Sequence, residues 1–216
     1  MRTTPTIFLL AALSMLALTA TAKPISFADG WTFMHERDSD MIETNLYYSP
    51  TYWVSFGPSI ARSRADDGRT RRDAQTMHVN FLAKRWNLAD AQANIFTSYG
   101  LGRTKTLGVA NRTETAHHAT LQGDYETRQF YTSFKFDAHR SPTFLDRTDT
   151  LQIGASPYAH DYDDLAFWVI AQVKKYRGLN DKTEAGAFIR LFRKNIWVEL
   201  GLTEGRKSQM MLMINY

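Results

Sequence analysis

Apolar and polar side chains alternate at every second position of this chain, and no other sequence feature constrains its fold as strongly. Over residues 91–101, Ala91, Ile95 and Leu101 fall on one face, while Gln92 and Asn94 fall on the other. Because successive side chains of a β-strand point to opposite faces, a period of two predicts strands. Residues 165–176 are apolar enough for a helix, but their β-branched and aromatic content favours a strand. We therefore expect an all-β chain.

Counting the alternating segments gives about twelve strands, with ten as the alternative. The expected strands are 30–38, 41–49, 52–63, 75–87, 91–102, 115–125, 128–138, 148–158, 163–176, 184–193, 196–203 and 207–216. The expected connections alternate in length, being short at 49–51, 88–90, 126–127, 159–162 and 194–195, and longer at 64–74, 103–114, 139–147 and 177–183. This rhythm is typical of a closed antiparallel up-and-down transmembrane β-barrel with short periplasmic turns and longer outer loops.

The first residues have the three-part pattern of a secretory signal peptide. Arg2 is followed by an apolar run over residues 7–18, and Ala20-Thr21-Ala22 offers a small-x-small cleavage site. The apolar run is shorter than the roughly 20 residues of a membrane-spanning helix, which disfavours a helical anchor. We expect a signal peptide over residues 1–22 and a single exported barrel domain over residues 23–216.

Composition narrows the classes of exported protein. The chain has no Cys, which excludes a disulfide scaffold and a thiolate metal site, and aromatic residues make up 13% of it. An aromatic-rich exported β-chain is either a periplasmic β-protein or an outer-membrane barrel. A soluble barrel would turn its apolar face inward, whereas a membrane barrel turns it outward to the lipid. The net charge of +4 is modest, and nucleic acid is not an expected partner of an exported chain.

The end of the chain favours the membrane alternative. Met210, Leu212, Ile214 and Tyr216 place apolar side chains at every second position up to a final aromatic residue. This segment resembles the C-terminal segment of bacterial outer-membrane proteins, which the barrel-assembly machinery reads. The stretches GWTFMHERD, LYYSPTYWVSFG and KRWNLADAQANIFTSYGLG also resemble an uncharacterised family of small proteobacterial outer-membrane proteins. The resemblance implies a cell outer-membrane location with lipid around the barrel, and it implies no activity.

The polar face would line the lumen of such a barrel. The expected lumen-lining residues are Glu36, Glu43, His78, Asn80, Lys84, Asn94, Asp124, Lys135, Asp137, Lys174, Arg190 and Glu199. Bulky residues on the same face indicate a narrow lumen, namely Trp53, Trp168, Phe188, Phe192 and Trp197. Aromatic residues near strand ends suggest interfacial girdles, namely Trp31, Tyr48, Tyr52, Trp86, Tyr99, Tyr125, Tyr158, Tyr176 and Tyr216.

These residues favour passive passage or binding of a small polar solute through a narrow lumen. The alternatives are a structural or assembly protein and a lipid-cleaving or lipid-modifying enzyme. His78, His118, His139 and Ser133 are available for catalysis, but no spacing motif singles them out, so we expect no enzyme and no cofactor. We also expect no metal site, because the adjacent His117 and His118 point to opposite faces of a strand. The basic segment RSRADDGRTRR is an expected outer loop that could contact lipopolysaccharide phosphates.

Overall fold

The chain forms one closed barrel of antiparallel strands. The computed structural model describes residues 23–108, 111–160 and 163–216, and the expected signal peptide lies outside them. The strands are β1 (Gly30–Arg37), β2 (Met41–Thr51), β3 (Val54–Arg64), β4 (Arg71–Asn87), β5 (Ala91–Leu107), β6 (Arg112–Thr127), β7 (Phe130–Ser141), β8 (Phe144–Ala155), β9 (Ala166–Arg177), β10 (Lys182–Arg193), β11 (Ile196–Thr203) and β12 (Lys207–Asn215). A short 3-10 turn, Glu204–Arg206, joins the last two strands. Among the described residues, no helix is long and apolar enough to cross a membrane.

Pairing of the first and last strands closes the sheet. β1 runs antiparallel to β12 from Thr32 opposite Asn215 to Arg37 opposite Met210, and the Tyr216 amide donates to the Trp31 carbonyl at 2.9 Å. Each strand therefore has a neighbour on both sides, and the barrel has no free sheet edge. We call the end where β1 begins and β12 finishes the near end, and the opposite end the far end.

The sense of the alternation is that of a membrane barrel. In β3, Ser55, Gly57 and Ser59 are buried inside the barrel, whereas Phe56 and Ile60 are 45% and 59% exposed on its outside. Met210 is exposed and Leu212 and Ile214 are partly exposed on the outer face, whereas Met211 and Met213 between them are buried. The predicted all-β class and closed twelve-stranded barrel are confirmed. Only a solvent that cannot form hydrogen bonds favours an apolar outer face and a polar inner face.

A β-bulge reverses the faces at the near end of β4. The register with β5 shifts between Leu82 and Lys84, so that Arg85 and not Lys84 pairs with Asn94. Leu82 is buried inside, Arg85 donates to the Asn94 side chain at 2.8 Å, and Lys84 is exposed beside the Trp86 ring. The prediction that Lys84 lines the lumen is therefore wrong, because one extra residue exchanges the inward and outward positions that follow it.

Several connections differ from their predicted lengths. At the far end, β4, β5 and β6 continue pairing beyond their predicted ends, from Arg71 opposite Leu107 to Thr106 opposite Arg112. The strands therefore take up part of the predicted outer loops 64–74 and 103–114. The predicted loop 139–147 shrinks to residues 142–143, because its flanking residues pair with each other. At the near end, the predicted short turn 159–162 lies within the longer connection 156–165, of which residues 161–162 are outside the described part.

Outward aromatic residues gather at the near end. Trp31 and Tyr48 lie 5.2 Å apart between ring centroids, and Tyr48 also contacts Phe56. Tyr52, Trp86, Tyr125, Tyr158 and Tyr216 are also exposed near this end, and Tyr99 lies away from it, opposite Val79 and Ala119. The predictions for Trp53, on the inward face, and for Tyr176, in the outward girdle, are wrong. Trp53 stacks on the outward Phe81, because it lies in the β2–β3 turn where strict alternation stops. Tyr176 points inward and donates to Asp38.

Candidate functional site

The near half of the barrel is filled with packed side chains. Trp168, Phe188, Phe192, Trp197 and Met213 are buried in one cluster, with Tyr131, Ala166, Ile170 and Met211. We call this cluster the aromatic plug. Beneath it, a residual void of about 10 Å³ is lined by Tyr131, Trp168 and Trp197, among others. Such a space holds about one water molecule, so the plug closes the lumen on the side of β9 to β12.

The residues just before β1 fill the opposite side of the near half. Lys23 is buried, and its Nζ donates to Gln92 at 3.1 Å and lies 3.5 Å from Glu126. Ile25 packs against Leu82 and Phe96 inside the barrel. Together with the aromatic plug, this segment fills most of the near half of the barrel among the described residues.

A layer of polar side chains covers the aromatic plug on its far-end side. Arg190 donates to Glu199 at 2.8 Å, and its guanidinium lies 4.3 Å from the ring centroids of Tyr131 and Trp197. Gln152 accepts from Arg190 and donates to Gln172. Gln172 donates to Gln209, and Gln209 donates to Glu36, which also accepts from Lys174. We call this connected layer the polar floor.

Above the polar floor lies a cavity of about 180 Å³, which we call the vestibule. It extends from Tyr131 and Arg190 at its base to Leu179 and Asn180 at the far end. Six acidic and six basic residues line it: Glu36, Asp40, Glu43, Asp137, Asp146, Glu199, Arg72, Lys135, Arg147, Lys174, Arg177 and Arg190. The two signs balance, so the vestibule carries no excess of either charge.

The far-end connections are joined across the mouth of the vestibule. The Asn180 side chain donates to the Arg64 carbonyl at 3.1 Å and accepts from the Asp66 amide at 2.8 Å. Lys182 forms ion pairs with Asp40, Asp66 and Glu184. We call the contacts of Asn180 and Lys182 the latch. Because the latch joins the β9–β10 connection to the β3–β4 connection, it narrows the entrance from outside.

Eleven of the twelve residues expected in the lumen lie on the inward face, with Lys84 as the exception. They fall into two groups. Glu36, Glu43, Lys135, Asp137, Lys174, Arg190 and Glu199 line the vestibule, with His78 beside it next to His118. Asn80, Asn94 and Asp124 lie in the near half, where Asn80 donates to Ser55 and Asn94 donates to Asp124 at 2.7 Å. The side chains of this second group pack inside the near half and do not line the vestibule.

One row of inward residues crosses four strands, and sequence reasoning did not find it. His78 on β4 faces Gly100 on β5, Gly100 faces His118 on β6, and His118 faces His139 on β7. We call these positions the histidine row. An added Cβ on Gly100 would overlap the His78 ring, so the glycine lets the His78 and His118 rings meet, with centroids 4.8 Å apart. The row depends on the bulge in β4, on the far-end connection between β5 and β6, and on the turn between β6 and β7, so alternation within one strand gave no signal for it.

Asp137 joins the row because it is two residues from His139 and shares its face. Its two carboxylate oxygens lie 3.0 and 3.1 Å from His118 Nε2, and Oδ1 lies 3.4 Å from His139 Nε2. The His118 and His139 rings stack with centroids 3.6 Å apart. Within the described residues, the hydrogen bonds of the three rings go to Thr76, to one another and to Asp137. Ser133 is not among these partners.

Comparisons with known proteins support the class of fold. No protein-family model and no curated protein sequence matches the chain. A solved structure of the KdgM porin in complex with disordered oligogalacturonate matches with a TM-score of 0.50 and 11% identity, covering 87% of this chain and 98% of the porin. A second KdgM porin structure covers the same shares at a TM-score of 0.47 and 10% identity. The translocator domain of the autotransporter NalP from Neisseria meningitidis gives a TM-score of 0.38 and 8% identity, covering 86% of this chain and 85% of that domain.

The similarity to the first KdgM porin structure, together with the inward polar and outward apolar faces, defines the class of fold. The chain has the fold of an outer-membrane β-barrel, with twelve antiparallel strands and a porin-like architecture. Within that class, it combines a vestibule of balanced charge, a filled near half and a row of histidines.

Proposed function

We propose that the chain resides in the bacterial outer membrane and binds a small polar solute without net charge in its vestibule. The near end then faces the periplasm and the far end faces the outside. The outward apolar face and the closed backbone pairing support residence in lipid. The outward row of Met210, Leu212, Ile214 and Tyr216 fits recognition by the barrel-assembly machinery. Arg62 and Arg64, exposed at the far end, fit contact with lipopolysaccharide.

The observation that carries the proposal is the vestibule itself. Its volume of about 180 Å³, at roughly 10–15 Å³ for each water-sized occupant, has room for roughly 12 to 18 non-hydrogen atoms. That is the size of a monosaccharide or an amino acid. Equal numbers of acidic and basic side chains suit a neutral or zwitterionic solute, whose polar groups can contact both signs. A polyanion such as the oligogalacturonate of the KdgM complex would meet six acidic groups beside the six basic ones here, with no net positive charge to attract it.

Passage to the near end requires the aromatic plug to move. Phe188 and Trp197 are each 2% exposed, and the Arg190 guanidinium lies against the Trp197 ring. Binding and passage are therefore separate steps, and the resting barrel is closed. The expectation that the chain is not an enzyme stays a prediction. Among the described residues, the histidine row bonds to Thr76, to its own rings and to Asp137 rather than to the serine hydroxyl that a serine hydrolase needs.

Solute binding is tested by equilibrium dialysis of the detergent-folded barrel against labelled glucose, glycine and galacturonate. We expect retention of a neutral or zwitterionic probe and none of galacturonate. The double variant Lys174→Met with Glu36→Gln removes one ion pair from the vestibule wall and should weaken solute retention. Preferential retention of galacturonate, or equal retention by this double variant, would contradict the proposal.

Closure is tested by swelling of liposomes that contain the barrel, with glucose as the permeant. The unchanged barrel should give slow swelling, and Phe188→Ala should accelerate it because a space opens within the plug. Phe134→Ala is the matched control, since Phe134 is outward and 48% exposed. Fast swelling by the unchanged barrel would refute closure. If the barrel retains no solute and no variant swells, the result favours a structural or assembly role.

A further inference from the structure

We propose that His118, Asp137 and His139 form a binding site for a divalent transition-metal ion on the wall of the vestibule. One ligand atom from each residue lies within 4.8 Å of the other two. His118 is buried, and Asp137 and His139 line the vestibule. The site is independent of the proposed solute, because it depends only on these three side chains and their neighbours.

Two of the three distances among the ligand atoms are close to those around a bound ion. In a tetrahedral zinc site, bonds of about 2.0–2.1 Å place neighbouring ligand atoms about 3.3 Å apart. His118 Nε2 lies 3.0 Å from Asp137 Oδ1, and His139 Nε2 lies 3.4 Å from the same oxygen. Both separations differ from the tetrahedral value by a few tenths of an ångström. Admitting the ion would require rotations of the stacked His118 and His139 rings that turn both Nε2 atoms toward it.

The backbone holds the three ligands in place. His118 and His139 are directly opposite each other on adjacent strands, and Asp137 is two residues along β7 on the same face. Sites built on strands keep their geometry better than sites on loops. Behind the ligands, His118 Nδ1 lies 3.3 Å from His78 Nε2, which contacts Thr76 Oγ1 at 2.8 Å. With an ion at Nε2, the Nδ1–H of His118 would donate to His78, which is the usual support of a metal-bound histidine.

The ligand types select the ion. Two imidazole nitrogens and one carboxylate favour Zn²⁺, Ni²⁺ or Cu²⁺, whereas Mg²⁺ and Ca²⁺ prefer oxygen ligands alone. Three protein ligands would leave a fourth position open, and because Asp137 and His139 line the vestibule, water or a solute could reach it. Lys135 Nζ lies 3.4 Å from Asp137 Oδ2, and its positive charge opposes a cation. Removing that charge should tighten binding.

The test is titration of the detergent-folded barrel with ZnCl₂ by calorimetry, with MgCl₂ as the comparison. We expect one Zn²⁺ per chain and no Mg²⁺. Asp137→Asn and His139→Gln should each weaken Zn²⁺ binding by about 100-fold or more, whereas Lys135→Gln should strengthen it several-fold. His117→Gln is the matched control, because His117 neighbours His118 but faces outward and contacts Tyr99. It should leave the affinity unchanged.

A second readout guards against misfolded variants. Co²⁺ bound by two nitrogens and an oxygen in a four-coordinate site gives intense visible absorption, and the shift of a folded barrel on an unheated gel reports folding. If Asp137→Asn fails to fold, His139→Gln decides the question. Absence of Zn²⁺ binding by the folded unchanged barrel would overturn the site. Equal Zn²⁺ affinity in folded His139→Gln, or an equal loss in His117→Gln, would do the same.

Discussion

The Arg190–Glu199 ion pair of the polar floor tests how strongly burial sets the contribution of an ion pair to the free energy of unfolding. Its Nε–Oε2 distance is 2.8 Å, and the two side chains are 4% and 5% exposed. The Arg62–Asp73 pair has almost the same distance, 2.9 Å, but its side chains are 56% and 29% exposed. Distance alone would give the two pairs equal weight. Burial predicts that they differ, because a buried charge that loses its partner stays desolvated.

We expect Glu199→Gln to lower the free energy of unfolding by about 3 kcal/mol, the low end of the 3–5 kcal/mol range for breaking a buried ion pair. The low end applies because Gln152 and the rings of Tyr131 and Trp197 would still contact Arg190. Asp73→Asn should cost about 1 kcal/mol or less, as exposed pairs do. The double variant Glu199→Gln with Arg190→Met should recover much of the loss, because no unpaired charge remains.

The assay is urea-induced unfolding of the barrel in phospholipid vesicles, followed by tryptophan fluorescence with Trp197 in the plug as the main reporter. The three variants and the unchanged barrel are compared at one lipid composition. If Glu199→Gln costs no more than Asp73→Asn, the reasoning from burial fails. It also fails if the double variant is no more stable than Glu199→Gln alone.

Three further outcomes follow from particular contacts. A fluorophore on Lys84→Cys should be quenched by spin-labelled lipid and one on Arg85→Cys should not, because the bulge turns only Lys84 outward. Asn180→Ala removes two hydrogen bonds of the latch, so labelled solute should exchange faster in stopped-flow measurements while liposome swelling stays slow. Gly100→Ala should lower the free energy of unfolding by about 1–3 kcal/mol, whereas Gly123→Ala, with nothing near its added Cβ, should be close to neutral.

The strand rhythm was predictable because one physical rule sets it. Lipid on one side and polar groups on the other force a period of two, which is why Lys135, Asp137 and Lys174 were assigned to the inward face and lie there. The rule stops where the backbone departs from regular pairing. The bulge beside Lys84 and the turn at Trp53 each interrupt the alternation. The residue types at these two places do not predict a bulge or a turn.

The histidine row was not predictable from alternation alone. A period of two says which face a residue occupies, and it says nothing about which residue on the next strand lies opposite. His118 was compared with its chain neighbour His117, although its spatial neighbours are His78 across Gly100 and His139 on the next strand. Register depends on turn lengths and bulges together, and an error of one residue at any turn separates the rings.

The aromatic plug and the proposed metal site lie on different walls of the barrel, and this separates metal binding from solute passage. The aromatic plug is built mainly on β9 to β12, while the histidine row and Asp137 lie on β4 to β7. A displacement of Phe188 or Trp197 that opens the near end therefore need not move the opposite wall. Phe188→Ala should change swelling and leave Zn²⁺ affinity unchanged, and His139→Gln should do the reverse. If both changes altered both measurements, the two walls would have to move as one unit.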